Sequence, residues 1–192
     1  LQHGLKTRVR TVVLFMDSIT IREIPPLCRV WTPIAQPARV AILGSHHKQV
    51  LSGVINILSG RCLAYTSPTF NQSTFHTVLT QTRALWRGWN IVMFLDKHSA
   101  HRAATSQTLA KQLSIELRFL PTACPERNVM DCLWRHVRDE VLANEPCPQL
   151  QATVARTIDY LDALSSYQRL TKAGVFADAF WLAEVRTALL SN

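Results

Sequence analysis

The stretch NIVMFLDKHSAHRAATSQTLAKQLSIELRFL, residues 90–120, decides the fold. Residues 90–95 form a continuous apolar run of strand length. A helix is expected over roughly 101 to 113, and IELRFL returns to strand character before Pro121 stops it. A strand, a helix and a strand in that order imply parallel strands joined by a right-handed crossover. Asp96 follows the first of these strands directly, at the carboxyl end where open α/β sheets place their ligands.

Upstream, VRTVVLFM at 9–16 reads as a buried strand, and ITIREI at 19–24 as a second one ended by Pro25 and Pro26. Further strands are expected at 39–43 (RVAIL), at 50–58 (VLSGVINIL) and, after a turn at Gly60, in RCLAYT. The first third is therefore an antiparallel meander. Phe75, Val78, Leu79, Thr82, Leu85 and Trp86 recur at helical spacing within 71–87, and Gly88 ends that helix. Downstream, Pro125 suits a helix start, and Met130, Leu133, Trp134, Val137 and Val141 share one helical face. Trp134 is expected in the core, with Asp131 at the edge of that face near Arg135 and Arg138. Residues 149–190 read as helical with a break at Gly174. The fold class is α/β: a meander, then strand–helix–strand, in a mixed sheet flanked by helices.

The 192 residues suffice for one buried core, and 47% apolar against 18% charged residues describes a folded chain. A formal charge of +8 favours a polyanionic partner, nucleic acid above all. Five cysteines with no C-x-x-C pair argue against a disulfide scaffold. No apolar run approaches the ~20 residues that span a bilayer, so no membrane is expected. The start, LQHGLKTRVR, lacks both an initiator Met and a secretory leader, and the chain is expected to be a piece of something longer.

Asp17 closes the run VVLFM, Asp96 closes IVMFL, and Asp131 lies in PERNVMDCLW. Carboxylates set against apolar strands are costly unless neutralised. Three that converge form a cage for hard divalent cations, which prefer oxygen ligands. Two such ions ~3.5–4 Å apart would activate a nucleophile and stabilise a leaving oxygen, so a metal-dependent phosphoryl-transfer site is expected. A zinc site from His98, His101, Cys124 and Cys132 matches no common finger spacing. His101 is expected to back Asp96 or to contact a phosphate, and Arg127, Asn128, Arg135 and Arg138 to contact DNA. The alternatives are a surface histidine at a helix start, a helix cap at Asn128, and a solvated arginine face.

These segments resemble the catalytic domain of the mariner-like transposase superfamily, including related bacterial insertion-sequence enzymes. LFMDSITI resembles its first-acid strand, WTPIAQPARV its W-x-P-x-G-x-P stretch, IVMFLDKHSAH its L-D-N-x-x-x-H segment and FLPTACPERNVMDCLW its third-acid segment. The resemblance implies a ribonuclease H-like fold, with a catalytic core over 1–145, a C-terminal helical extension of the same domain over 146–192, and the N-terminal helix-turn-helix region absent. It implies Asp17, Asp96 and Asp131 as ligands of two Mg²⁺ or Mn²⁺ ions, transposon-end and target DNA as partners, a homodimeric active assembly, and action in the bacterial cytoplasm at the nucleoid. DNA cleavage with strand transfer is the implied activity; a decayed relative that only binds DNA or assembles, or a nuclease of the same fold, are the alternatives. The chain departs from the pattern at Ser18, where relatives often carry a second acid, at Gln36 for Gly, Lys97 for Asn, and Val129 for Pro. Asp131 stands for the bacterial Glu, as it does in the mariner branch.

Overall fold

The computed structural model describes residues 10–42, 46–122, 124–147 and 149–182. Five strands form one sheet: β1 (Thr11–Arg22), β2 (Lys48–Asn56), β3 (Cys62–Ser67), β4 (Asn90–Leu95) and β5 (Ile115–Phe119), in the order β3-β2-β1-β4-β5. β1, β2 and β3 pair antiparallel, while β4 runs parallel to β1 and β5 parallel to β4. This is the expected meander followed by a crossover.

Helices cover both faces. α1 (Gln72–Leu85), α2 (Ser99–Arg102) and α3 (Ala104–Gln112) occupy the middle of the chain, and α4 (Val129–Val137), α5 (Leu150–Ala163) and α6 (Ser166–Lys172) follow β5. Alternation along β1 assigns its side chains. Val12, Leu14 and Met16 join Phe75, Val78 and Leu79 of α1 in one apolar cluster. Val13, Phe15, Ile19 and Ile21 join Leu133 and Trp134 of α4, with Leu150, Leu161 and Leu170 of the last two helices, in the other.

Five expected boundaries move. The strand expected at 19–24 is the second half of β1, because β2 runs beside it from Leu14↔Asn56 to Arg22↔Lys48. Residues 39–42 are irregular and largely exposed rather than a strand, since no strand pairs with them; Leu43 lies outside the described residues. The helix expected at 101–113 divides at Ala103, whose extended backbone (φ −55°, ψ 137°) separates α2 from α3. Pro125 opens a 3₁₀ turn, Pro125–Arg127, and α4 begins only at Val129. The helix expected through 190 stops at α6: Gly174 turns with φ 76°, and the described chain continues to 182 without another helix. The remainder of that expectation falls outside the described residues.

Candidate active site

The parallel register of β1 and β4 builds the first half of the site. Phe15 pairs with Phe94, so Asp17 and Asp96 each lie two residues further along neighbouring strands. The two rings beneath them stack at 5.0 Å, fixing the pair of strands at that level. β4 ends at Leu95 whereas β1 continues, paired only with β2, so Asp17 flanks the edge where Asp96 leaves the sheet.

α4 supplies the third acid. Its cap, Asn128, accepts a hydrogen bond from the Met130 amide at 3.1 Å and donates one to the Met16 carbonyl at 3.1 Å. The helix start is thereby tied to the residue before Asp17. Close approach depends on Gly53, which sits opposite Asp17 on β2. A methyl group there would overlap Met130 Cε and Trp134 Cζ2, so glycine lets α4 lie directly on the sheet. Trp134 is fully buried, as expected.

Asp17, Asp96 and Asp131 consequently line one cleft of about 370 Å³, with Lys97, His98 and Asn128 among its other walls. Their environments differ. Burial pushes the Asp17 carboxyl up to about 7, helped by the charges of Asp131 and Asp96. The Asp96 carboxyl is held below the usual range, first by a hydrogen bond from His101 and also by the His98 amide. Asp131 receives Arg138 at 3.4 Å and Arg135 at 3.6 Å. Among the described residues, no three His, Cys, Asp or Glu side chains stand already gathered for a metal ion. The donor set nevertheless fits hard divalent cations: it is all oxygen, and the mutual repulsion felt by Asp17 is what a cation would relieve.

Two of the expected DNA contacts are corrected. His101 is only 3% exposed, with its ring turned onto Asp96 and Phe75, so it has no surface with which to meet a phosphate. Asn128 is likewise buried, both ends of its amide being engaged within the protein. Arg127 is exposed, and Arg135 and Arg138 are half exposed beside Asp131. Trp181 was not anticipated. Its indole N–H donates to the Arg127 carbonyl at 3.1 Å, and its ring packs edge-on against Phe94 at 5.5 Å, behind the cleft. It lies in irregular chain after Gly174, where a helix is expected.

The model of the DDE superfamily endonuclease family matches residues 12–153. A curated relative, the insertion element IS630 uncharacterized 39 kDa protein of Shigella sonnei, is 20% identical over 157 residues, spanning 81% of this chain and 46% of the relative. The chain thus covers about half of that relative's length. Among solved structures, the Mos1 transposase paired-end complex with left transposon end superposes with a TM-score of 0.69 at 14% identity, over 99% of this chain and 57% of that one. The Mos1 transposase catalytic domain with Raltegravir and Mg superposes with a TM-score of 0.59 at 10% identity, over 99% and 86–87% respectively of this chain and of the Mos1 domain chains solved with Mg or Mn. These likenesses extend to the ribonuclease H-like fold, and with all three aspartates inside the matched span, the chain belongs to the DDE superfamily endonucleases.

Proposed function

We propose that this chain is the catalytic domain of a DNA transposase, carrying out metal-dependent strand cleavage and strand transfer. The observation that carries it is the single cleft at which Asp17 and Asp96, level on neighbouring strands, meet Asp131 from α4. Asp17, Asp96 and Asp131 would hold two Mg²⁺ or Mn²⁺ ions. Bound there, the ions supply Lewis acidity to the nucleophile and leaving oxygen of an in-line displacement at phosphorus. The protein's own part is orientation. Asn128 and Gly53 set α4 against β1, and the sheet register levels the other two acids. Arg127, Arg135 and Arg138 lie on the segment that carries Asp131 and, within a chain of charge +8, suit contact with the phosphates of transposon-end and target DNA.

A homodimeric assembly is supported by the irregular segment between β1 and β2, where Trp31 and Ile34 stand fully exposed and Leu27 and Val30 largely so. Exposed apolar side chains spaced so closely along the chain suit contact with a second copy. No helix among the described residues is long and apolar enough to cross a membrane, and action on DNA in the bacterial cytoplasm agrees with that.

Calorimetric titration with Mn²⁺ tests the assignment. Wild type should bind, and Asp96→Ala should lose binding; undiminished binding by that variant would sink the metal site. Products on transposon-end DNA then separate the reactions. Joined strands support a transposase, and hydrolysed 3′-hydroxyl ends alone would reassign the chain as a nuclease.

A further inference from the structure

We propose that His101 is the positioning residue of the cleft: it fixes the Asp96 carboxylate so that Oδ2 alone is offered to a metal ion. The inference rests on Asp96 being a metal ligand. His101 Nδ1 lies 2.8 Å from Asp96 Oδ1 and 3.2 Å from the Asp96 carbonyl oxygen. The His98 amide donates to the same Oδ1 at 3.0 Å. The His98 amide and the His101 ring thus both lie against Oδ1, and Oδ2 is in contact with neither. A carboxylate held in this way cannot rotate to exchange its oxygens without giving up both contacts.

The surroundings of the ring show why histidine stands here. It is packed by Phe75 at 4.5 Å and Phe70 at 5.3 Å, and α2 is held over it by Gln107, whose amide donates to the His101 carbonyl at 2.7 Å. Nε2 is buried and has no hydrogen-bond partner. An unpartnered buried polar atom is costly, so a phenylalanine would suit this aromatic box better on packing grounds. What histidine adds is one N–H, and that donor goes to Asp96. The bond places the ring proton on Nδ1, leaving Nε2 as a bare acceptor in an apolar wall. Partners of this kind behind a metal ligand commonly govern affinity by 10–100-fold, because they set the ligand's direction before the ion arrives.

The test is Mn²⁺ affinity of the full chain by calorimetry, with the melting temperature measured alongside in the absence of metal. His101→Phe keeps the packing and removes the donor; it should weaken Mn²⁺ binding by at least ~10-fold while leaving the melting temperature at or above that of wild type. His101→Asn restores an N–H close to the Nδ1 position and should bind Mn²⁺ nearly as wild type does, whereas His101→Gln, with its N–H near the Nε2 position, should not. Wild-type affinity in His101→Phe, or equal affinities in the Asn and Gln variants, overturns the positioning role while the metal site stands. The Asn and Gln pair decides the matter if the Phe variant does not fold. Binding that survives Asp96→Ala overturns the metal site itself, and this inference with it.

Discussion

The two faces of the sheet are built from alternate residues of the same strands, yet only one of them carries the candidate acids. On the α1 face, Val12, Leu14 and Met16 meet Phe75, Val78 and Leu79, and the apolar contact is closed. On the α4 face, the series Val13, Phe15 is interrupted by Asp17 before it resumes at Ile19 and Ile21. A carboxyl takes an apolar position at the level where β4 ends. The consequence is electrostatic: burial and two neighbouring acids push Asp17 up to about 7. One face packs apolar side chains against α1, and the other buries a carboxyl whose ionisation costs stability.

The sharpest way to break this contrast is Asp131→Asn. Removing this acid should lower DNA cleavage by orders of magnitude. Its stability should change by no more than about 1 kcal/mol, since the ion pairs to Arg135 and Arg138 are partly solvated. Thermal melting beside a cleavage assay decides it, and a collapse of the metal-free fold would mean that Asp131 is structural. On the opposite face, Phe75→Ala should cost about 3–5 kcal/mol in denaturant unfolding, because the ring is wholly buried. Mn²⁺ binding should survive that change under conditions where the variant is folded.

Asp17→Asn sharpens the comparison through pH. Folded Asp17 holds its proton more tightly than an unfolded aspartate at 3.8. Its favourable contribution is therefore complete below about 3.8, falls as pH rises toward about 7, and is gone above that. The Asn variant should accordingly be more stable than wild type by roughly 2–4 kcal/mol at pH 8 and gain little at pH 4. A pH-independent difference would show that the Asp17 carboxyl is solvated. Gly53→Ala should cost about 1–3 kcal/mol by pushing α4 from the sheet, and should weaken Mn²⁺ binding as Asp131 moves away. A variant with unchanged unfolding and unchanged binding would show that α4 can adapt.

Much of this was legible in the amino-acid order. The buried runs at 11–16 and 90–95 have strand length and composition, and the helical spacing around Phe75 and around Trp134 named two packing faces correctly. The failures share a cause. Residues 39–42 carry a strand-like composition without a partner to pair with, and a strand exists only when a neighbour takes its hydrogen bonds. Residues 19–24 read as a separate strand because Asp17 and Ser18 interrupt the apolar run, whereas β2 bridges that interruption. Residue type left His101 open between backing Asp96 and meeting a phosphate, and Asn128 between DNA and a helix cap; their burial follows from Phe70, Phe75 and Met16, which are distant in sequence. Trp181 falls in a stretch read as helix, and its contacts to Arg127 and Phe94 arise only from packing.

By itself the sequence determined the class of sheet, the helix faces, the face of β1 on which Asp17 stands, and the family to which the chain belongs. Those properties follow from local periodicity and from motifs that each segment carries alone. The tertiary structure alone decided that Phe15 pairs with Phe94 so that Asp17 and Asp96 stand level, that Gly53 admits α4, and that the Asp17 carboxyl is pushed up while that of Asp96 is held down. Register, close approach and desolvation are relations between distant segments, and they come into being only when those segments pack.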